Sequence, residues 1–141
     1  GNLRANGLNY TYIRYADVML WKAEALIETG KVSDAIDIIN EVRERARNTV
    51  GVDGETKAPA GTLPDRDRLG SKEQAWEWLI HERRVELGLE SHRFRDLKRW
   101  GIAKEVLNAN GQAFTDRNYL FPIPQKDIDK SGGKLIQNPG Y

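Results

Sequence analysis

The chain has 141 residues, with 22 Lys and Arg against 21 Asp and Glu, and no cysteine. That length suits one domain with a real core, a net charge of +1 gives no global pull toward nucleic acid or anionic lipid, and disulfides and thiolate metal sites are excluded. No apolar run approaches the roughly 20 residues of a membrane span and no basic-then-apolar leader opens the chain, so any signal or anchor is expected outside it.

Residues 1–11 are polar and rich in Gly and Asn, and read as an extended lead-in. From Tyr12 the pattern becomes helical: Ile13, Ala16, Leu20, Ala23 and Ile27 recur at alternating spacings of three and four. Gly30 follows the last periodic residue, where a left-handed C-terminal cap is expected. Ala35, Ile38, Ile39, Val42 and Ala46 make a second stripe, and the short connection predicts an antiparallel helix hairpin over residues 12–47. The pair looks like one tetratricopeptide-type unit, and a single such unit wants stacked neighbours. Residues 48–70 hold four glycines, two prolines, no aromatic and no periodicity, and read as a loop.

Ser71 with Gln74 is a capping box that opens a third helix. Trp76, Leu79, Ile80 and Leu87 share one broad face, widened by Trp78, Val85 and Leu89, so this helix is expected to be buried on more than one side. Two shorter helices, parted near Gly101, complete a helical segment over 71–109. In residues 110–141, Pro122 and Pro124 argue for an extended tail, and Asn138-Pro139-Gly140 is turn chemistry. The fold class read this way is all-α: a tetratricopeptide-like hairpin, further packed helices and an extended, Pro-rich C-terminal tail.

Motifs for chemistry are sparse. Asp65, Asp67 and Gly70 resemble the start of a calcium loop, but Leu69 takes a ligand position and Trp76 stands where a bidentate Glu belongs, so a solvated turn is the better reading. His81-Glu82 begins a zincin-like string whose second histidine is replaced by Val85, and His81 and His92 read as ordinary helix and turn residues. There is no nucleophile elbow, phosphate loop or dinucleotide fingerprint. No catalytic residue, metal site or cofactor is expected.

The most informative stretch is His81 to Trp100, with six Lys/Arg and four Asp/Glu. That surplus is too small for a phosphate footprint. Arg83 falls within the apolar stripe and Arg43 beside the core face of its helix, so both must be paired, because burying an unpaired guanidinium costs several kcal/mol. Glu82, Glu86, Glu90, Asp96 and Glu24 are the candidate partners. Arg93, Phe94, Asp96, Leu97 and Trp100 are expected to form a turn locked by ion pairs and aromatic packing. A structural knot is favoured over a nucleic-acid surface.

At these residues the sequence resembles the C-terminal region of the SusD/RagB family of outer-membrane glycan-binding lipoproteins. Four blocks match in order: "IRYADVMLWKAEAL" from Ile13, "INEVRERA" from Ile39, "ERRVELGLESHRFRDLKRWG" from Glu82, and the ending "YLFPIP…LIQNPGY", which makes Tyr141 the expected native C-terminus. The family commonly has Gly where Ser91 stands, so a less strained turn is expected before Arg93, and residues Lys130 to Lys134 lengthen the approach to the last turn. The resemblance implies residues 1–141 as a single C-terminal domain of a helical scaffold, in a parent protein tethered by a lipidated cysteine and capping a TonB-dependent SusC-like transporter. It implies binding of an oligosaccharide or polysaccharide without catalysis. Arg14, Arg43, Arg83, Glu86, Arg93, Asp96 and Trp100 look like family scaffold residues.

Trp76, Trp78, Phe94 and Trp100 fall on helical faces and read as core. Tyr10, Tyr12, Phe114 and Tyr119 are the aromatics expected to reach the surface. For sugar stacking the weak candidates are Tyr10, Tyr12, Trp78 and Tyr119. The rival reading is a protein- or peptide-binding helical-repeat module that uses the groove of the first hairpin.

Overall fold

A computed structural model describes residues 11–141. The chain divides into two compact units, Gly1–Gly88 and Leu89–Tyr141. Among the described residues the regular elements are all helical, in keeping with the all-α reading.

The first unit holds α1 (Tyr15–Glu28), α2 (Val32–Asn48) and α3 (Lys72–Glu86). Leu20, Ala23 and Ile27 of α1, Ala35, Ile36, Ile39 and Val42 of α2, and Ala75 and Leu79 of α3 form one buried cluster with Leu87. The alanines at facing positions let the three backbones approach closely. The α1–α2 turn is closed as its spacing predicts. Gly30 takes φ +79°, and the Lys31 N–H donates to the Leu26 carbonyl at 2.8 Å, the six-to-one bond of a left-handed cap. At the start of α3 the Gln74 N–H donates to Ser71 Oγ at 3.2 Å and the Ser71 N–H to Gln74 Oε1 at 2.9 Å, completing the capping box.

Three details of this unit differ from the sequence pattern. The first helix begins at Tyr15 rather than Tyr12, leaving Ile13 ahead of it and exposed. Ile36, not Ile38, is fully buried on α2, because Ile36 and Ile39 share the stripe turned toward α1 and α3 while Ile38 sits at its edge. The broad apolar face expected of α3 is narrower: Val85 is exposed, and the buried side is Ala75, Leu79, Glu82 and Arg83.

The loop after α2 is strapped to that helix by side chains. The Asn40 amide donates to the Arg66 carbonyl at 2.9 Å and accepts from the Arg66 N–H at 2.7 Å, as a neighbouring strand would. Arg43 donates twice to the Pro64 carbonyl, at 3.0 and 2.9 Å, and Arg47 once to the Leu63 carbonyl at 2.9 Å. These bonds satisfy backbone groups that lack a regular ladder.

The second unit holds α4 (Arg93–Arg99), α5 (Ala103–Ala109), a 3-10 helix (Asp116–Tyr119) and α6 (Gln125–Lys130). Its small core is Leu97, Ala103 and Phe114, with Ile102, Val106, Leu107 and Tyr119 packed against it. Phe114 is therefore a core residue here, not a surface one. Its ring meets Phe94 edge-on at 6.0 Å and Tyr119 at 5.1 Å between centroids. The Asn108 amide clamps the Phe114 backbone in both directions, at 3.1 and 2.8 Å.

The C-terminal segment is not extended throughout. Irregular backbone runs over residues 121–124 and 134–138, and α6 stands between them. Pro124 caps that helix at φ −55°: its missing N–H costs nothing at a helix start, so proline permits there what it forbids inside. The two irregular runs are held side by side. The Gln137 amide exchanges hydrogen bonds with Ile123 at 2.8 and 2.9 Å, Asn138 Nδ2 donates to the Phe121 carbonyl at 2.6 Å, and the Tyr141 hydroxyl donates to the Leu120 carbonyl at 2.9 Å. The closing "QNPGY" is thus a clasp on "LFPI".

Leu89 and Ser91, in the turn before α4, have φ of +66° and +65°. Serine at 91 does not relax this turn; it holds the left-handed conformation that glycine would adopt without strain. Leu89 is also fully exposed, not part of the α3 face.

Candidate functional site

The arginines that the helical period places on core faces are all paired, and the pairs form a frame through the first unit. Arg83 on α3 meets Asp17 on α1 at 2.8 Å, both side chains buried. Arg43 on α2 meets Glu82 on α3 at 2.8 Å, again with both buried. Arg14, just ahead of α1, reaches Glu86 at 2.6 Å and also donates to the Glu86 carbonyl. Arg45 joins the same carboxylate from α2.

Each helix therefore contributes at least one charge to a carboxylate or guanidinium on another. Removing such charges from water is costly, and only close, well-directed pairing offsets it. The role of the frame is geometric: it fixes the rotation of α1, α2 and α3 about their axes, because any slip would strand a buried charge. Glu82 and Glu86 are used as expected. Asp17 was missed, although it lies three residues before Leu20 and hence beside the buried stripe, the signal that identified Arg83.

In the second unit Asp96 is buried and accepts from Arg99 Nε at 2.9 Å, while the Arg99 guanidinium lies over the Trp100 ring at 4.6 Å. Lys98 donates to the Tyr119 carbonyl at 2.5 Å and stands 5.6 Å from the Phe94 ring centroid. The segment from Arg93 to Trp100, expected as a turn, is the helix α4 with its C-cap, and it is held by this mixture of charge and aromatic contact.

The stacking candidates occupy dissimilar settings. Tyr10 lies outside the described residues. Tyr12 precedes α1 and is 76 % exposed. Trp78 is half-buried on α3, with the Arg66 guanidinium 5.5 Å from its ring centroid. Tyr119 is half-buried and engaged edge-on by Phe114 in the second unit. The pattern at Asp65 to Gly70 is a turn: Asp65 pairs with Arg47 at 2.7 Å, and Asp67 accepts from the Leu69 N–H at 2.9 Å.

A cleft of about 350 Å³ opens between the starts of α1 and the end of α2, lined by Arg14, Tyr15, Met19, Glu41, Val42 and Arg45. Its two guanidiniums already share Glu86, so it presents little free charge. The inner face of the hairpin, which a bound peptide would need, is filled by Ala75 and Leu79 of α3.

The model of the SusD family matches residues 2–141, nearly the whole chain. This chain belongs to the SusD family. Three SusD-like proteins of Formosa agariphila are similar to it. SusD-like protein P2 is 34 % identical over 146 aligned residues, covering 99 % of this chain and 27 % of the relative. SusD-like protein P38 is 37 % identical over 133 residues, covering 94 % and 25 %, and SusD-like protein P25 is 35 % identical over 120 residues, covering 85 % and 19 %. This SusD-family chain thus spans about a quarter of the length of the relatives it matches. Among its described residues no helix is long and apolar enough to cross a membrane.

Proposed function

We propose that this chain is the C-terminal scaffold region of a non-catalytic glycan-binding protein, a component of an outer-membrane polysaccharide uptake complex. The parent protein takes up oligosaccharide or polysaccharide at the cell surface, where a lipid anchor outside these residues tethers it and a SusC-like TonB-dependent transporter is its partner. The observation that carries this reading is the family match over residues 2–141, joined to how the family-like polar residues are spent. Arg43 and Arg83 are buried in pairs that join helices, and Asp96 is buried in a pair within α4, which is scaffold work and leaves them unable to meet a substrate.

Titration of the folded 141-residue chain and of the full-length natural protein against a panel of oligosaccharides, by calorimetry and tryptophan fluorescence, tests the assignment. Saturable binding by the full-length protein with none, or only a weak one, in the chain is the expected result. Strong binding by the chain alone would overturn its scaffold role, and release of reducing ends from the panel would overturn the non-catalytic one. Copurification of a TonB-dependent transporter with the full-length protein tests the partnership.

A further inference from the structure

Among the described residues, Arg66 in the loop strapped to α2 is a partly buried cation that no carboxylate pairs. Arg43 is paired with Glu82 at 2.8 Å, Arg47 with Asp65 at 2.7 Å and Arg68 with Asp37 at 2.6 Å. Asp67, next in sequence to Arg66, accepts from the Leu69 N–H with one carboxylate oxygen and makes no ion pair with Arg66. Among the described residues no carboxylate stands within ion-pair distance of Arg66, and its guanidinium has no hydrogen-bond partner. Its Nε is out of solvent with no hydrogen-bond acceptor, so the terminal amino groups are the accessible part of a half-exposed side chain.

The side chain is nonetheless held in place. Asn40 clamps the Arg66 backbone from both sides, at 2.7 and 2.9 Å. The guanidinium lies on the Trp78 ring, 5.5 Å from its centroid. Trp78 in turn is seated against Gly70, where a Cβ would come within 2.6 Å of the ring. Partial burial, and then the nearby Arg43 charge, pull the Arg66 pKa below the ordinary arginine range, with Glu82 opposing. The charged form therefore carries a cost here that an added anion would relieve.

A planar fork fixed on an aromatic face, with its rotamers already restricted, is the arrangement that takes an oxyanion in bidentate fashion. We propose that Arg66 on Trp78 is an oxyanion subsite for an acidic saccharide, whose uronate carboxylate or sulfate ester supplies the missing counter-charge. This deepens the glycan reading above and rests on it. It also makes Trp78 a platform for the guanidinium, which covers one face of its ring.

The test is calorimetric titration of the full-length natural protein with three oligosaccharides of matched length, one neutral, one built of uronates and one sulfated. Arg66→Gln is expected to weaken binding of an acidic ligand about tenfold or more, the loss of a charge-assisted pair, and to leave the neutral one unchanged. Arg66→Lys, which keeps the charge but not the fork, should fall between, and Arg68→Gln should match the natural protein. Whichever acidic ligand responds identifies the oxyanion. Equal losses for neutral and acidic ligands, or no loss in Arg66→Gln, overturn the subsite. If no oligosaccharide binds, the glycan reading itself fails. Titration with inorganic sulfate, followed by tryptophan fluorescence, then decides the subsite alone: a saturable change abolished in Arg66→Gln supports it, and no change overturns it.

Discussion

Asp17 and Arg83 meet at 2.8 Å with 0 and 1 % of their side chains exposed, joining α1 to α3 through the middle of the first unit. A pair this deep contributes less to net stability than to specifying one arrangement, because desolvation cancels much of its attraction. Breaking it is another matter. Arg83→Met leaves Asp17 buried without its cation and is expected to lower stability by about 3–5 kcal/mol. Changing both, as Asp17→Leu with Arg83→Met, should recover most of that loss. Urea unfolding of the two variants measures it, and a single variant as stable as the natural chain would contradict the pairing.

Glu86 serves two arginines of unequal burial. Arg45 is 59 % exposed on its side chain, so Arg45→Ala should cost no more than about 0.5 kcal/mol. Arg14 is 29 % exposed and also holds the Glu86 carbonyl at the end of α3, so Arg14→Ala should cost roughly 1–2 kcal/mol. The ordering of the two variants in chemical denaturation is the test; equal effects would mean that the carbonyl contact contributes nothing.

Gly70 is needed for space. Its Cβ would lie 2.6 Å from two atoms of the Trp78 ring, so Gly70→Ala must displace the indole, at about 1–3 kcal/mol. Trp78 fluorescence and the urea midpoint should both shift. An unchanged midpoint would show that the ring gives way freely.

The turn before α4 predicts a stabilising change. Ser91 holds φ +65°, and Ser91→Gly should raise stability by about 1 kcal/mol through relief of left-handed strain, less the entropy that glycine adds to the unfolded chain. A lower thermal midpoint for Ser91→Gly would show that the serine side chain is worth more than the strain.

The loop turn at Asp53 should respond to acid. Its carboxylate accepts from the Thr56 hydroxyl and from the Thr56 and Glu55 N–H groups at 2.9 and 3.0 Å, which lowers its pKa from 3.8 to about 2. A depressed carboxylate stabilises the turn above its unfolded pKa and loses that contribution as pH falls through the folded one. The turn should therefore hold at pH 5 and loosen between about pH 4 and pH 2. The amide shifts of Glu55 and Thr56 report this directly, and a titration midpoint near 4 would rule the bonds out.

What this chain's sequence determined by itself is local. Helical period, the Gly30 cap and the Ser71–Gln74 box placed α1 to α3 within a few residues, because those signals act over one or two turns of chain. The same period showed that Arg43 and Arg83 needed partners, since an unpaired guanidinium cannot stay beside a core. Four ordered blocks were specific enough to name the family.

Tertiary structure alone decided which acid answered which arginine. Asp17 and Arg83 are far apart in sequence, and the helical stripe that sets Asp17 beside the core sets Glu24 there equally. It likewise turned Phe114 inward, since Leu97 and Ala103 left a space that its ring fills, and it tied residues 134–141 onto 120–123 through side-chain amides that carry no periodic signal. The fold likewise leaves Arg66 without a carboxylate, giving Glu82 to Arg43, Asp65 to Arg47 and an Asp67 oxygen to the Leu69 N–H. Counting charges cannot show that, because balance along a sequence says nothing of which charges meet in space.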